Sequence, residues 1–162
     1  MRSRTATWFE TKIRYEKTME NGMQKKVTEQ YVVDSLSFTE AEETIINEMS
    51  SYISGEFEVT DIKKAPYGEI FFSDMEKDDR WYKAKLQFIT LDEKSQKEKR
   101  TSVNYLVQAA SLQGAVKHVD DFMSSSSSDY VIASLAETQI MDVFEHQAGA
   151  AKKDDKPEYE EQ

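Results

Sequence analysis

Two sets of aromatic, cationic and amide residues recur in this sequence in one order, with a drift of one residue in spacing. Trp8, Lys12 and Arg14, followed by Lys26, Thr28 and Gln30, are answered by Trp81, Lys83 and Lys85, followed by Arg100, Ser102 and Asn104. Lys12 corresponds to Lys85, Lys26 to Arg100, Thr28 to Ser102 and Gln30 to Asn104. An indole gives a nucleobase a stacking surface worth roughly 1–3 kcal/mol, and Lys and Arg follow the phosphates. Gln and Asn reach base edges, and Ser and Thr reach phosphate oxygens. The chemistry implied is binding of single-stranded nucleic acid. On alternating strands each set shares one face. That face holds Lys12, Arg14 and Lys26 against Glu10 in the first set, and Lys83, Lys85 and Arg100 without an acid in the second. The whole chain has a formal net charge of −10, so a locally basic face stands out. The plain alternative is an ordinary polar outer face, with the tryptophans packed at the edge of the core.

Catalytic constellations are missing. There is no cysteine and there are two histidines. His118 falls in a helical segment, where its counterpart in the first copy is Thr44, and His146 ends the last strand. A metal set of His118 with Asp120 or Asp121 is outweighed by the commoner exposed helical histidine. No glycine-rich phosphate loop is present, and no serine has a histidine partner in a nucleophilic arrangement. A non-enzyme is expected, with no cofactor and no metal.

The elements that must position these residues come from an internal repeat. Trp8-Phe9-x-x-Lys12-Ile13-x-Tyr15 returns as Trp81-Tyr82-x-x-Lys85-Leu86-x-Phe88. Tyr31-x-Val33 returns as Tyr105-x-Val107, and Ile70-Phe71 as Val143-Phe144. Such self-similarity decides architecture before any local pattern does. Alternation gives strands over about 6–17 and 25–35, with Asn21-Gly22 as the turn. A helix is expected from Thr39, with Thr39-x-x-Glu42 as capping box and Gly55 as its end. Strands over about 56–63 and 68–73 follow. The second copy repeats the plan, with strands at 81–90 and 100–109, a helix from Ser111 to about Met123, and strands near 129–138 and 139–146. The fold class expected is α+β, an internal duplication of a β-β-α-β-β unit with eight strands and two helices. The sheet should be mainly antiparallel, with the helices on one face. Residues 1–73 and 81–147 form the repeats of one domain, 74–80 the linker and 148–162 a disordered acidic tail.

Composition bounds the remaining choices. A chain of 162 residues can bury a shared core. The lack of cysteine fits a reducing interior, and no apolar stretch is long enough to cross a membrane, so a cytoplasmic, membrane-free protein is expected. Asp154, Asp155, Glu158, Glu160 and Glu161 could compete for the basic face or be offered to a protein partner through residues 154–162. The rival reading is a protein–protein interaction module or acidic inhibitor with no affinity for nucleic acid.

The opening Thr7-Trp8-Phe9-Glu10-x-Lys12-Ile13-Arg14-Tyr15, with Tyr31-Val32-Val33-Asp34 and Phe38-Thr39-Glu40-Ala41-Glu42, resembles a family of uncharacterised proteins from gut anaerobes and their phages. The resemblance spans roughly residues 6–146 and implies no established activity. The layout of basic sheet and acidic C-terminus is similar to single-stranded DNA-binding proteins of bacteria and phages. Cut after its first helix, the chain gives four strands and a helix. That order resembles the whirly and transcriptional-coactivator class of single-strand binders.

Overall fold

Each strongly alternating segment becomes one arm of a long antiparallel hairpin. In the computed structural model, which describes residues 1–145, β2 (Trp8–Thr18) pairs with β3 (Gln24–Asp34), and β6 (Arg80–Leu91) with β7 (Glu98–Ala109). The first hairpin closes through Asn21-Gly22. Gly22 takes a φ of 83° there, and Asn21 Oδ1 accepts from Met23 N at 3.0 Å. The second closes with Gln96 at a φ of 60°, a conformation that side chains other than Gly, Asn and Asp adopt reluctantly.

The helices are α1 (Phe38–Ser50) and α2 (Leu112–Met123). Ser37 and Ser111 cap them, each accepting from the backbone amide three residues on, Glu40 at 3.1 Å and Gly114 at 3.0 Å. The expected Thr39–Glu42 box is thus displaced by two residues, and the carboxylate of Glu40 accepts from Leu36 N at 3.2 Å instead. α1 ends at Ser50 rather than at Gly55. Ile53 lies beyond the helix but still packs on the core, its amide donating to Met49 O at 2.9 Å.

The remaining strands are β1 (Arg2–Thr5), β4 (Phe57–Lys64), β5 (Glu69–Phe72), β8 (Asp129–Glu137) and β9 (Ile140–Phe144). Among the described residues they make nine strands rather than the eight expected, because β1 forms ahead of the expected first strand at about 6–17. The class is α+β, and its two sheets have the orders β1-β5-β7-β6-β8 and β4-β2-β3-β9. Most pairs are antiparallel, but β5 lies parallel to β7 and β9 parallel to β3.

The compact units cut across the sequence copies. Unit 1 is Met1–Ala6 with Pro66–Gln139, and unit 2 is Thr7–Ala65 with residues 140–145 among those described. β5, which follows the first hairpin and helix in sequence, therefore belongs to the sheet of the second hairpin. β9, which follows the second, belongs to the sheet of the first. Each such strand brings a phenylalanine onto a tyrosine. Phe71 stacks on Tyr105 with centroids 5.0 Å apart, and Phe144 on Tyr31 at 5.5 Å.

Within each unit the helix covers one sheet face. In unit 1 that face packs Tyr82, Ala84, Leu86, Tyr105 and Val107 against Ala115 and Val119 of α2. In unit 2 it packs Phe9, Ile13, Tyr31 and Val33 against Ala41, Ile45 and Met49 of α1. The second face of each sheet is therefore the one carrying the recurrent Trp and Lys residues.

Candidate nucleic-acid interface

In unit 1 the second face collects the expected residues of the second copy. Trp81, Lys83 and Lys85 lie on β6. Their register partners on β7 are Gln108, Leu106 and Asn104, and Gln87 faces Ser102 and Ile89 faces Arg100. On the other side of β6, Ala136 stands beside Lys83 and Ser134 beside Lys85. Among the described residues no carboxylate is a cross-strand neighbour of either lysine, and both are exposed. Two residues apart on one strand, they project about 6.7 Å from each other along it. Farther along, Arg100 donates to Gln87 Oε1 at 3.3 Å and pairs with Glu98 at 3.1 Å, and Gln87 donates to Ser102 at 3.5 Å. The result is a track of cations, amides and hydroxyls, with two carboxylates, Glu98 and Asp129, at the Arg100 end. It has donors for a phosphodiester backbone and no aromatic ring offered to a base.

Trp81 does not belong to that track as a stacking surface. It is 2% exposed, meets Phe72 edge-on at 5.7 Å, and its carbonyl accepts from Thr138 N at 2.8 Å. Trp8 is 1% exposed, and its carbonyl accepts from Ala65 N at 2.8 Å. The expected stacking role of both tryptophans is thereby corrected, because a ring enclosed on all sides cannot admit a base. They are core residues at the start of their strands, which was the plainer reading of the sequence.

In unit 2 the expected net positive charge is also corrected. Lys12, Arg14, Lys26, Thr28 and Gln30 do share the second face, but β4 lies alongside and supplies acids. The Arg14 guanidinium donates to Glu58, with Nε at 2.9 Å. Asp61 is the register partner of Lys12, and Glu16 that of Lys26. Gln30 donates its amide to Glu10, so it is not free for a base edge. Four cations, counting Lys63 beside Glu10, meet five carboxylates, counting Asp34 opposite Trp8, and the face carries no net positive charge. A cleft of about 610 Å³ at its far end is lined by Arg14 and Lys26 but also by Glu16, Glu56 and Glu58.

The sequence reading missed the carboxylates of β4 because strand order is not written in local alternation. It also missed His118, expected as an exposed helical side chain. Its Nδ1 lies 2.9 Å from Gln108 O, and its Nε2 lies 3.8 Å from Asp78 Oδ2. Asp78 is buried and accepts from the Ser73 hydroxyl, while Ser73 N donates to Gln108 Oε1 at 2.8 Å. Residues 73–78 are thus fastened to β7 and α2. The hydroxyl and the imidazole both address the carboxylate, so the histidine is not placed to act as base on the serine. His146 and the acidic residues 154–161 lie outside the described residues. Among the described residues no group of His, Asp or Glu is arranged to hold a metal ion, and no helix is long and apolar enough to cross a membrane.

Desolvation holds three groups of unit 2 away from their ordinary titration. Tyr31 and Tyr15 are pushed up by burial first and then by Glu29, whose Oε1 accepts from both phenols at 2.9 and 3.1 Å. Asp142 is exposed as a residue, and the partial desolvation of its carboxyl pushes it up, partly offset by its hydrogen bond from Val143 N at 2.8 Å.

The family model of DUF4494, a domain of unknown function, matches residues 7–146. The chain belongs to this family. The match covers both hairpins, both helices and the strands β4, β5, β8 and β9, so the track on β6 and β7 is part of the family domain and not an appendage. Neither the curated proteins nor the solved structures contain a match to this DUF4494 chain.

Proposed function

We propose that this protein is a non-catalytic, cytoplasmic single-stranded nucleic-acid-binding protein, an accessory of replication or recombination. In this reading it holds the phosphate backbone on the second face of unit 1. The observation that carries the proposal is the pair Lys83 and Lys85, exposed on one strand with only Leu106, Ala136, Asn104 and Ser134 as cross-strand neighbours. An acidic protein gains nothing in stability from two adjacent cations without counter-charges. A polyanion would provide them. Asn104, Ser102, Gln87 and Arg100 extend the donors along β7 and β6, so the ligand would run along the hairpin. Since no ring is offered, binding would read the backbone and be indifferent to sequence. The acidic residues 154–161 would act as a competing polyanion. Titration of the protein with a fluorescein-labelled mixed-sequence single-stranded oligonucleotide, followed by anisotropy, tests this reading. Saturable binding that retreats with salt is expected, and no binding at low salt would remove it in favour of a protein-interaction role.

A further inference from the structure

Four strands end the two sheets, and three of them are defended against pairing with another chain. β1 is four residues long and carries Arg2 and Arg4. β4 carries Glu58, Asp61, Lys63 and Lys64, and its register skips Thr60 as a bulge. β9 has five residues and a register break that leaves Met141 unpaired. Short length, charge and bulges are the usual means by which sheet edges avoid unwanted partners. β8 differs. It has nine residues, no lysine, arginine or proline, and a single bulge at Ala133. Among the described strands it pairs with β6 alone, and Ala133, Ser134, Ala136 and both terminal residues are exposed. Tyr130, Ile132 and Leu135 are partly buried and pack on the core of unit 1.

We infer that the outer edge of β8 is a docking site for an extended segment of a protein partner, added to the sheet as a sixth strand. Its charge selects the partner. The ends of β8 are Asp129, which makes no ion pair among the described residues, and Glu137, which holds Arg80 only at 3.8 Å between exposed side chains. A second β8 in antiparallel pairing would set Asp129 against Glu137, a like-charge contact at each end that disfavours a second copy. A segment with basic residues flanking an apolar stretch matches both ends. Main-chain hydrogen bonds would supply affinity, and alternate side chains beside Tyr130, Ile132 and Leu135 would supply selectivity. The site does not depend on the nucleic-acid reading.

The test uses the full chain and a blocked nine-residue peptide of alternating valine and threonine with a lysine at each end. Amide hydrogen exchange should slow several-fold in residues 129–137 as the peptide is added, with little change elsewhere. Asp129→Lys should weaken this peptide several-fold and improve binding of the same peptide ended in glutamate. Such a reversal cannot come from a damaged fold. The inference is overturned if β8 gains no protection at millimolar peptide, or if the two peptides bind wild type alike. A mass that doubles with concentration, with β8 already protected, would also overturn it by placing a second copy on the edge.

Discussion

Trp8 and Trp81 show how one residue pattern supports two readings until burial is known. Their recurrence opposite lysines suggested stacking surfaces, but both are enclosed, and Trp81 packs on Phe72. Trp81→Ala is therefore expected to cost about 3–5 kcal/mol of stability, as large-to-small core changes do. Urea unfolding measures this, and an unchanged midpoint with weakened nucleic-acid binding would restore the ring to the surface. Core positions such as Ile13, Val33, Leu86 and Val107 were legible because alternation alone assigns them to one face. The state of Trp was not, since a residue at the end of a strand is buried or exposed by what lies beyond its own element. Asp142 makes a separate prediction. Its carboxyl is raised by partial desolvation although the residue is exposed, so the folded form holds its proton to slightly higher pH than the unfolded chain, a small effect screened by solvent. Stability should then fall as pH rises from about 4 through the folded value. Asp142→Asn removes that loss. Thermal unfolding between pH 4 and 7 should show a flatter profile for the variant and equal or greater stability at pH 7.

At the scale of elements, the hairpins and helices were legible because each carries its own period, turn and cap. The Asn21-Gly22 turn and the Ser111 start of α2 lie where local chemistry puts them. The sheet neighbours were not legible. Nothing within β2 announces that Glu58 and Asp61 of β4 will lie beside Arg14 and Lys12, whereas Lys85 meets Ser134 at the matching place. The two faces therefore differ in charge although their hairpins match. Removing the acids should make them alike. Glu58→Gln with Asp61→Asn is expected to strengthen oligonucleotide binding by about three-fold to ten-fold at low salt. Each freed cation near a backbone phosphate adds a counterion-release contribution of that order. Anisotropy titration reads the change, and no gain would mean that these cations lie out of the ligand's reach.

At the scale of the molecule, the repeat was visible in the sequence, but the division of strands was not. Ile70-Phe71 and Val143-Phe144 occupy matching places, yet each belongs to the unit built on the other copy's hairpin. The local signal of a short apolar strand is the same whichever sheet receives it, so periodicity could not choose. The arrangement predicts where damage travels. Phe144→Ala removes the ring that stacks on Tyr31 and should speed amide exchange in residues 8–34, at a cost near the low end of ~3–5 kcal/mol. Exchange should be faster in 80–109 instead if β9 belonged with the second hairpin.

In the proposed function, the cationic track of unit 1 binds single-stranded nucleic acid through its phosphates. Its most direct test is the salt dependence of oligonucleotide affinity for wild type, for Lys83→Glu with Lys85→Glu, and for Lys12→Glu as a control on unit 2. Three cations in contact, Lys83, Lys85 and Arg100, predict a log–log slope of about −2, or about twenty-fold weaker binding from 50 to 200 mM salt. The double variant should lose most of the affinity and most of the slope, and the control should change little. Equal losses from both variants, or an affinity indifferent to salt, would contradict the claim.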